Sequence, residues 1–275
     1  MPSWRSSFFA RSEGLTNFAE DEILFIMKHS VYGLIGKKLG HSRSAEFFAG
    51  YFRDNGIDAE YRNFPLEDVG ELLPLLEDNV QIKGLNVTIP YKEKVIPLLD
   101  RLDGKAAKTG AVNVIKIERG NKGIRLIGYN SDITGFRDTV KPYIPENGGN
   151  ALILGSGGAA KAAAYSLRND FGVMPKIVSR KSGTGDLTYD DLSAEIMEGH
   201  RIIVNATPLG MHPDTEICPP IPYGFVRKEH ICIDWVYNPL ETLFLRKCRE
   251  RGAVIVEGLE ILHRQALAAW DIWNS

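Results

Sequence analysis

The stretch "ALILGSGGAAKAAAYSL", residues 151–167, joins an apolar run, a glycine-rich turn and an alanine-rich segment without a break. A short apolar run ending in glycine suits a buried parallel strand, and such a strand needs a crossover helix after it. Gly155, Gly157 and Gly158 permit a tight turn that brings backbone close to a ligand. The helix that follows presents unpaired N–H groups at its start, which favour an anionic group. The pattern is GxGGAA, with Ala160 where the dinucleotide fingerprint has its third glycine; a small residue there still lets helix and strand pack. A glycine motif alone is weak evidence and also fits a purely structural turn. Strand, turn, helix and a further strand at Lys176–Ser179 agree in order, so a dinucleotide site is the expectation. Its candidates are Gly155, Ser156, Gly157, Gly158 and Ala159.

The same segment argues for one nucleotide over another. NAD sites usually end the second strand with an acid that accepts from the ribose 2′-hydroxyl. Here the strand runs into Ser179, Arg180 and Lys181. Two cations and a hydroxyl suit a 2′-phosphate, although solvated surface charges would read identically. NADP is the expected cofactor.

Apolar runs alternate with amphipathic stretches along the rest of the chain, as repeated βα units require. Before the glycine turn, strands are expected at 31–36, 59–66 and 82–89, helices near 44–56 and 67–78, and a hairpin over 111–118 and 124–130. "KEKVIPLLDRL" reads as a helix interrupted at Pro97, and "PENGGN" (145–150) as a linker. After the turn come "YDDLSAEIM" and "PLETLFLRKCRERG" as helices, "RIIVNAT", "ICIDWVY" and "AVIVEG" as strands, and a long terminal helix, "LEILHRQALAAWDIWN". Two successive βα series imply an α/β protein of two domains with a cleft between them.

Charge and cysteine content exclude several function classes. A net charge of -2 offers no basic field for nucleic acid. Cys218, Cys232 and Cys248 are too few and too scattered for a disulfide framework or metal knuckle, so no metal is expected and a reducing cytoplasm is. No apolar run approaches the length a membrane span needs. Residues 1–30 lack periodicity and signal-peptide order. They are expected to form a disordered extension, with Met27 as an alternative start.

The first half places polar residues at strand ends, where open α/β sheets bind ligands. "GHSRS" supplies Ser42 and Ser44, either as helix caps or as partners of a hydroxylated or anionic ligand. "NVTIPYK" supplies Asn86, Thr88 and Lys92, "GAVNV" supplies Asn113, and "GYNSD" supplies Asn130 and Asp132. Singly each is more often structural. As a set they suit a small polyhydroxylated acid.

These motifs, in this order, make residues 31–275 resemble the shikimate dehydrogenase family. "HSRS" resembles its substrate-binding serine element, "NVTIPYKE" its catalytic lysine motif, and "GAVNV" and "GYNSDITGF" its asparagine and aspartate segments. "GSGGAAKA" and "VSRK" are similar to its NADP-binding loops. "NATPLGM", "DWVYNP" and "GLEILHRQA" match elements near the nicotinamide and substrate. The resemblance implies reversible, NADP-dependent reduction of 3-dehydroshikimate to shikimate, a step of chorismate biosynthesis. It implies a catalytic pair, Lys92 and Asp132, and substrate contacts from Ser42, Ser44, Thr88, Asn113, Tyr237 and Gln265. Thr207 and Gly258 join the cofactor set. The implied architecture is an N-terminal substrate domain, 31–131 plus 259–275, and a Rossmann-type domain, 132–258, with the C-terminal helix returning to the first. A monomer or homodimer acting on small molecules is expected. Three departures stand out: Ala45 where proline is frequent, SRK where NRT is common, and Glu257 where aspartate or asparagine is frequent.

The chemistry explains the residue types. Hydride addition to a ketone leaves charge on oxygen, and a lysine ammonium stabilises that oxygen and protonates it. A carboxylate beside the lysine orients it. Two alternatives remain open at this stage: a quinate/shikimate dehydrogenase using NAD or NADP, and a nucleotide-sensing relative without catalysis. Methylenetetrahydrofolate dehydrogenases share the fold type but lack the paired serines.

Overall fold

A computed structural model of the chain describes residues 29–40, 42–121 and 123–275. The extension expected over residues 1–30 falls almost wholly outside them.

The chain builds two six-stranded sheets. The first contains β1 (Ser30–Gly36), β2 (Ala59–Pro65), β3 (Ile82–Val87), β4 (Arg101–Leu102), β5 (Val114–Gly120) and β6 (Gly123–Tyr129). Its order is β2-β1-β3-β5-β6-β4, with β1 parallel to both β2 and β3. The expected hairpin is β5–β6, antiparallel from Val114↔Tyr129 to Gly120↔Gly123. Tyr91, Val95, Ile35, Leu85 and Ile115 share the core on one face of this sheet.

The second sheet contains β7 (Gly149–Leu154), β8 (Val173–Ser179), β9 (Leu187–Thr188), β10 (Ile202–Asn205), β11 (Ile231–Asp234) and β12 (Val254–Val256). Every pairing is parallel, in the order β12-β11-β10-β7-β8-β9. Burial on both faces explains why these strands read as unbroken apolar runs. The strand order reverses beside β7, so the C-terminal ends of β7 and β10 flank the crevice where such sheets hold ligands.

The helices are α1 (Ser44–Asp54), α2 (Leu72–Asp78), α3 (Tyr91–Lys94), α4 (Gly104–Thr109), α5 (Asp132–Val140), α6 (Gly158–Phe171), α7 (Ala194–Glu198), α8 (Leu243–Arg249) and α9 (Gly258–Asn274). As expected, α9 returns to the first sheet. Trp273 stacks on Tyr32, with ring centroids 4.8 Å apart, and its indole N–H donates to the Ile115 carbonyl at 3.1 Å.

Three local expectations needed correction. "KEKVIPLLDRL" is no continuous helix: α3 is one turn, Ile96–Leu98 is a 3₁₀ turn around Pro97, and Arg101–Leu102 pair as β4. Proline cannot donate into the helical ladder, which ends α3 early. "YDDLSAEIM" is split into a 3₁₀ turn, Tyr189–Asp191, and α7, because the Ser193 hydroxyl caps Ile196 N–H at 3.3 Å and so starts a new helix. In "PLETLFLRKCRERG" the helix begins only at Leu243, where the Thr242 hydroxyl accepts from Leu245 N–H. Two helices went unanticipated: α4, started by the Asp103 carboxylate accepting from Lys105 N–H at 3.0 Å, and α5. In α5, Ile133, Phe136 and Val140 are fully buried at helical spacing, and Phe136 stacks on Trp235 at 5.2 Å.

Candidate active site

Lys92 sits in the single turn α3, and Asp132 is the first residue of α5. Two anchors hold α3 in place: the Tyr91 hydroxyl donates to the Leu66 carbonyl, and Val112 N–H to the Lys92 carbonyl, both at 2.7 Å. Asp132 has a different origin. Its helix packs Phe136 and Val140 into the core of the second sheet, yet its first residue leaves β6 of the first sheet almost directly. The carboxylate therefore lies where the two sheets meet. Lys92 Nζ donates to Asp132 Oδ2 at 2.6 Å, with side chains only 19% and 5% exposed. A solvated surface lysine would not be so shielded.

The glycine turn approaches the same point. A Cβ added to Gly158 would stand 3.0 Å from Lys92 Cδ, so the lysine stem rests on the start of α6. An ion pair, Lys161 Nζ to Glu93 Oε1 at 2.9 Å, joins the same two helices one residue beyond.

The expected substrate residues converge on this side. Ser44 is buried at the start of α1, and its N–H donates to Ser42 Oγ at 3.2 Å. Ser42 thus takes the capping role in part, while neither hydroxyl caps α1 in the usual geometry. Thr88 follows β3, held by its N–H to the Ile35 carbonyl at 3.0 Å. Asn113 is buried in a tight group: Oδ1 accepts from Ser131 N–H at 2.7 Å, and Nδ2 donates to Ser131 Oγ at 3.0 Å and Gln265 Oε1 at 3.3 Å. Gln265 arrives from α9, and Ser131 was not singled out from sequence. Asn86 donates to the Asn113 carbonyl at 3.2 Å and accepts from the Tyr61 hydroxyl at 2.7 Å. Asn130 serves the first sheet's own framework, donating to the Ala111 carbonyl at 2.9 Å. Tyr237 reaches from beyond β11 to face the Arg43 backbone, between the two serines; burial pushes its hydroxyl upward in pKa.

The cofactor candidates lie at or just beyond the C-terminal ends of second-sheet strands, with Gly258 at the start of α9. Gly155 has φ +111°, a left-handed conformation that glycine alone adopts without strain, and turns the chain from β7 toward α6. Gly157 precedes α6 as its N-cap and offers no side-chain cap, and no heavy atom beyond its chain neighbours lies within 4 Å of where a Cβ on Gly157 would be. Ser156 is exposed beside it and Ala159 half-buried. An open, uncapped helix start of this kind fits a pyrophosphate. Arg180 and Lys181 are exposed at the end of β8. Ser179 is different: its buried hydroxyl donates to the Lys181 carbonyl at 2.6 Å and pairs with Thr184 Oγ1 at 2.6 Å, so it shapes the loop that presents the two cations. Gly258, buried at the start of α9, is pressed against the Trp235–Val236 backbone.

Thr207 belongs to a buried network that the sequence did not announce. Thr207 Oγ1 donates to Asn205 Oδ1 at 2.6 Å, and Asn205 Nδ2 donates to Asp234 Oδ1 at 2.9 Å. Asp234, fully buried, also accepts from Val236 N–H at 2.9 Å and Thr242 Oγ1 at 2.5 Å. Burial pushes its carboxyl up to about 7 despite these donors. The loops after β10 and β11 are thereby tied together. Among the described residues, no three His, Cys, Asp or Glu side chains are arranged to hold a metal ion, and no helix is long and apolar enough to cross a membrane.

Comparison with known proteins finds relatives along nearly the whole chain. A family profile described as the shikimate dehydrogenase substrate binding domain matches residues 34–115. The NADP(+) shikimate dehydrogenase of Methanococcus maripaludis is 35% identical over 268 residues, spanning 90% of this chain and 92% of that protein. The crystal structure of shikimate 5-dehydrogenase from Thermus thermophilus, in complex with NADP(H) and shikimate, superposes with TM-score 0.77 at 30% identity, covering 89% of this chain and 93% of that one. Quinate dehydrogenase from Corynebacterium glutamicum, in complex with NAD, gives TM-score 0.77 at 25% identity, covering 89% and 93%. At 35% identity over 90% of its length with an NADP(+) shikimate dehydrogenase, the chain belongs to the shikimate dehydrogenase family.

Proposed function

We propose that this protein is an NADP-dependent shikimate dehydrogenase, interconverting 3-dehydroshikimate and shikimate. The observation that carries the reading is the shielded Lys92–Asp132 pair resting on the glycine turn at Gly158. The chain's relatives named as NADP(+) shikimate dehydrogenases support it. So does a similar structure that holds NADP(H) and shikimate.

The residues present fit the dinucleotide: Gly155, Ser156, Gly157, Gly158 and Ala159 would hold the pyrophosphate, and Arg180 with Lys181 the 2′-phosphate. Thr207, with Gly258, would border the nicotinamide. When bound, NADP supplies or accepts the hydride at the substrate's carbinol carbon. Ser42, Ser44, Thr88, Asn113, Tyr237 and Gln265 bind and orient the hydroxylated acid. In the reducing direction the Lys92 ammonium donates a proton to the forming alkoxide oxygen. In the oxidising direction neutral Lys92 Nζ takes the hydroxyl proton as the hydride leaves the adjacent carbon. Asp132 holds Nζ at that point, and the half-buried setting strengthens both interactions.

Absorbance at the nicotinamide band during shikimate oxidation tests the reading, run with NADP against NAD and shikimate against quinate. Activity with shikimate and NADP above the other three combinations is the expected result. No activity with shikimate and either cofactor overturns it. Preference for quinate with NAD would place the chain beside the quinate enzyme instead.

A further inference from the structure

Tyr61 stands in β2, in a strand that alternation alone would treat as framework. Its ring stacks on Phe48 of α1, with centroids 4.6 Å apart and planes 10° from parallel. Burial around the phenol end holds its hydroxyl neutral well past ordinary pH. The hydroxyl donates to Asn86 Oδ1 at 2.7 Å. One phenol on β2 is therefore tied to the strand that leads to Lys92.

That link decides which atoms of Asn86 face a ligand. An amide offers one acceptor oxygen and two N–H donors. Tyr61 occupies the oxygen, and one N–H donates to the Asn113 carbonyl at 3.2 Å. The second N–H and the oxygen's other lone pair are left over, and Tyr61 fixes which way round the amide presents them to a ligand. Phenylalanine in place of Tyr61 would keep the stacking on Phe48 yet leave the Asn86 oxygen without its donor.

We propose that Tyr61 is a positioning residue for the substrate pocket, its hydroxyl fixing the orientation of the Asn86 amide toward the hydroxylated acid. This role rests on the shikimate reading given above. It reaches the ligand only through the Asn86 side chain.

Steady-state kinetics of Tyr61→Phe, Asn86→Ala and the double variant test it. Tyr61→Phe is expected to raise the KM for shikimate roughly five- to tenfold, the effect of one lost hydrogen bond. Turnover at saturation and the KM for NADP should stay within about twofold. The double variant should be little worse than Asn86→Ala alone, because both changes break one linkage. Asn86→Asp, with Tyr61 intact, replaces the whole NH2 by an acceptor, the donor to the Asn113 carbonyl included, and should weaken shikimate binding at least as much. An unchanged shikimate KM in Tyr61→Phe overturns the role, as do losses that multiply in the double variant or fall equally on the KM for NADP. If the wild-type chain does not oxidise shikimate, the function and this role fall together. An active wild type with an unaltered Tyr61→Phe variant removes the role alone.

Discussion

The stem of Lys92 lies against Gly158, close enough that a Cβ there would stand 3.0 Å from Lys92 Cδ. The proton-transfer group and the dinucleotide turn are thus in direct contact across the junction of the two sheets. Gly158→Ala is expected to push the lysine off its line to Asp132 and lower turnover roughly tenfold or more, since small misplacements at a reacting centre are costly. Gly157→Ala, facing open space, should raise the KM for NADP with a smaller loss at saturating cofactor. Initial rates for both variants at saturating substrates separate the two effects.

Lys92→Ala removes the proton carrier while leaving the binding side chains in place. Turnover should fall by about 10²–10⁴. Shikimate affinity, measured by calorimetry, should change far less. Near-normal turnover in this variant would rule out the proton-transfer role.

Arg180 and Lys181 are exposed, and Ser179 commits its hydroxyl to the loop beneath them. Arg180→Ala should raise the KM for NADP several-fold while leaving that for NAD nearly unchanged, an effect that shrinks as ionic strength rises. Ser179→Ala should impair NADP binding through loop disorder instead, and be insensitive to salt. Titrations of both variants at low and high salt check this.

Asp234 gives a pH prediction with a definite sign. Its carboxyl is raised to about 7 in the folded protein, above its value in the unfolded chain, by burial. Between those two values the folded state binds more protons, so this group's contribution to stability falls as pH rises from about 4 to about 7. Asp234→Asn keeps an oxygen for Asn205 and Val236 and cannot ionise. Thermal unfolding midpoints across that range should decline less steeply in the variant than in the wild type.

Trp273 anchors the terminal helix through its stacking on Tyr32 and its bond to the Ile115 carbonyl. Trp273→Ala should cost about 3–5 kcal/mol of stability, the usual penalty for truncating a buried aromatic. It should also loosen Gln265 on the same helix. Denaturant unfolding together with the KM for shikimate reads both effects.

Much of the architecture was legible because its signals are local. Apolar runs gave the strands of the second sheet, and the spacing of Gly155, Gly157 and Gly158 gave the turn between β7 and α6. The helix α5 was harder to see: Ile133, Phe136 and Val140 carry its apolar face, but Asp132, Thr134 and Gly135 in its first turn dilute that periodicity. The short pieces around Pro97 and Ser193 were hidden for another reason: proline geometry and a serine cap overruled the apolar periodicity that suggested longer helices.

By itself the sequence determined what each segment could become, since strand and helix preference depend on neighbours a few positions away, and its motifs named the chemistry through resemblance. Only the tertiary structure decided which distant groups meet. Tyr61 against Asn86, Asp234 beneath Asn205 and Thr207, and Lys92 between Asp132 and Gly158 are products of chain closure. Such partners are chosen by packing between sheets, where burial decides which polar groups must find each other, and periodicity along the chain carries no record of that choice.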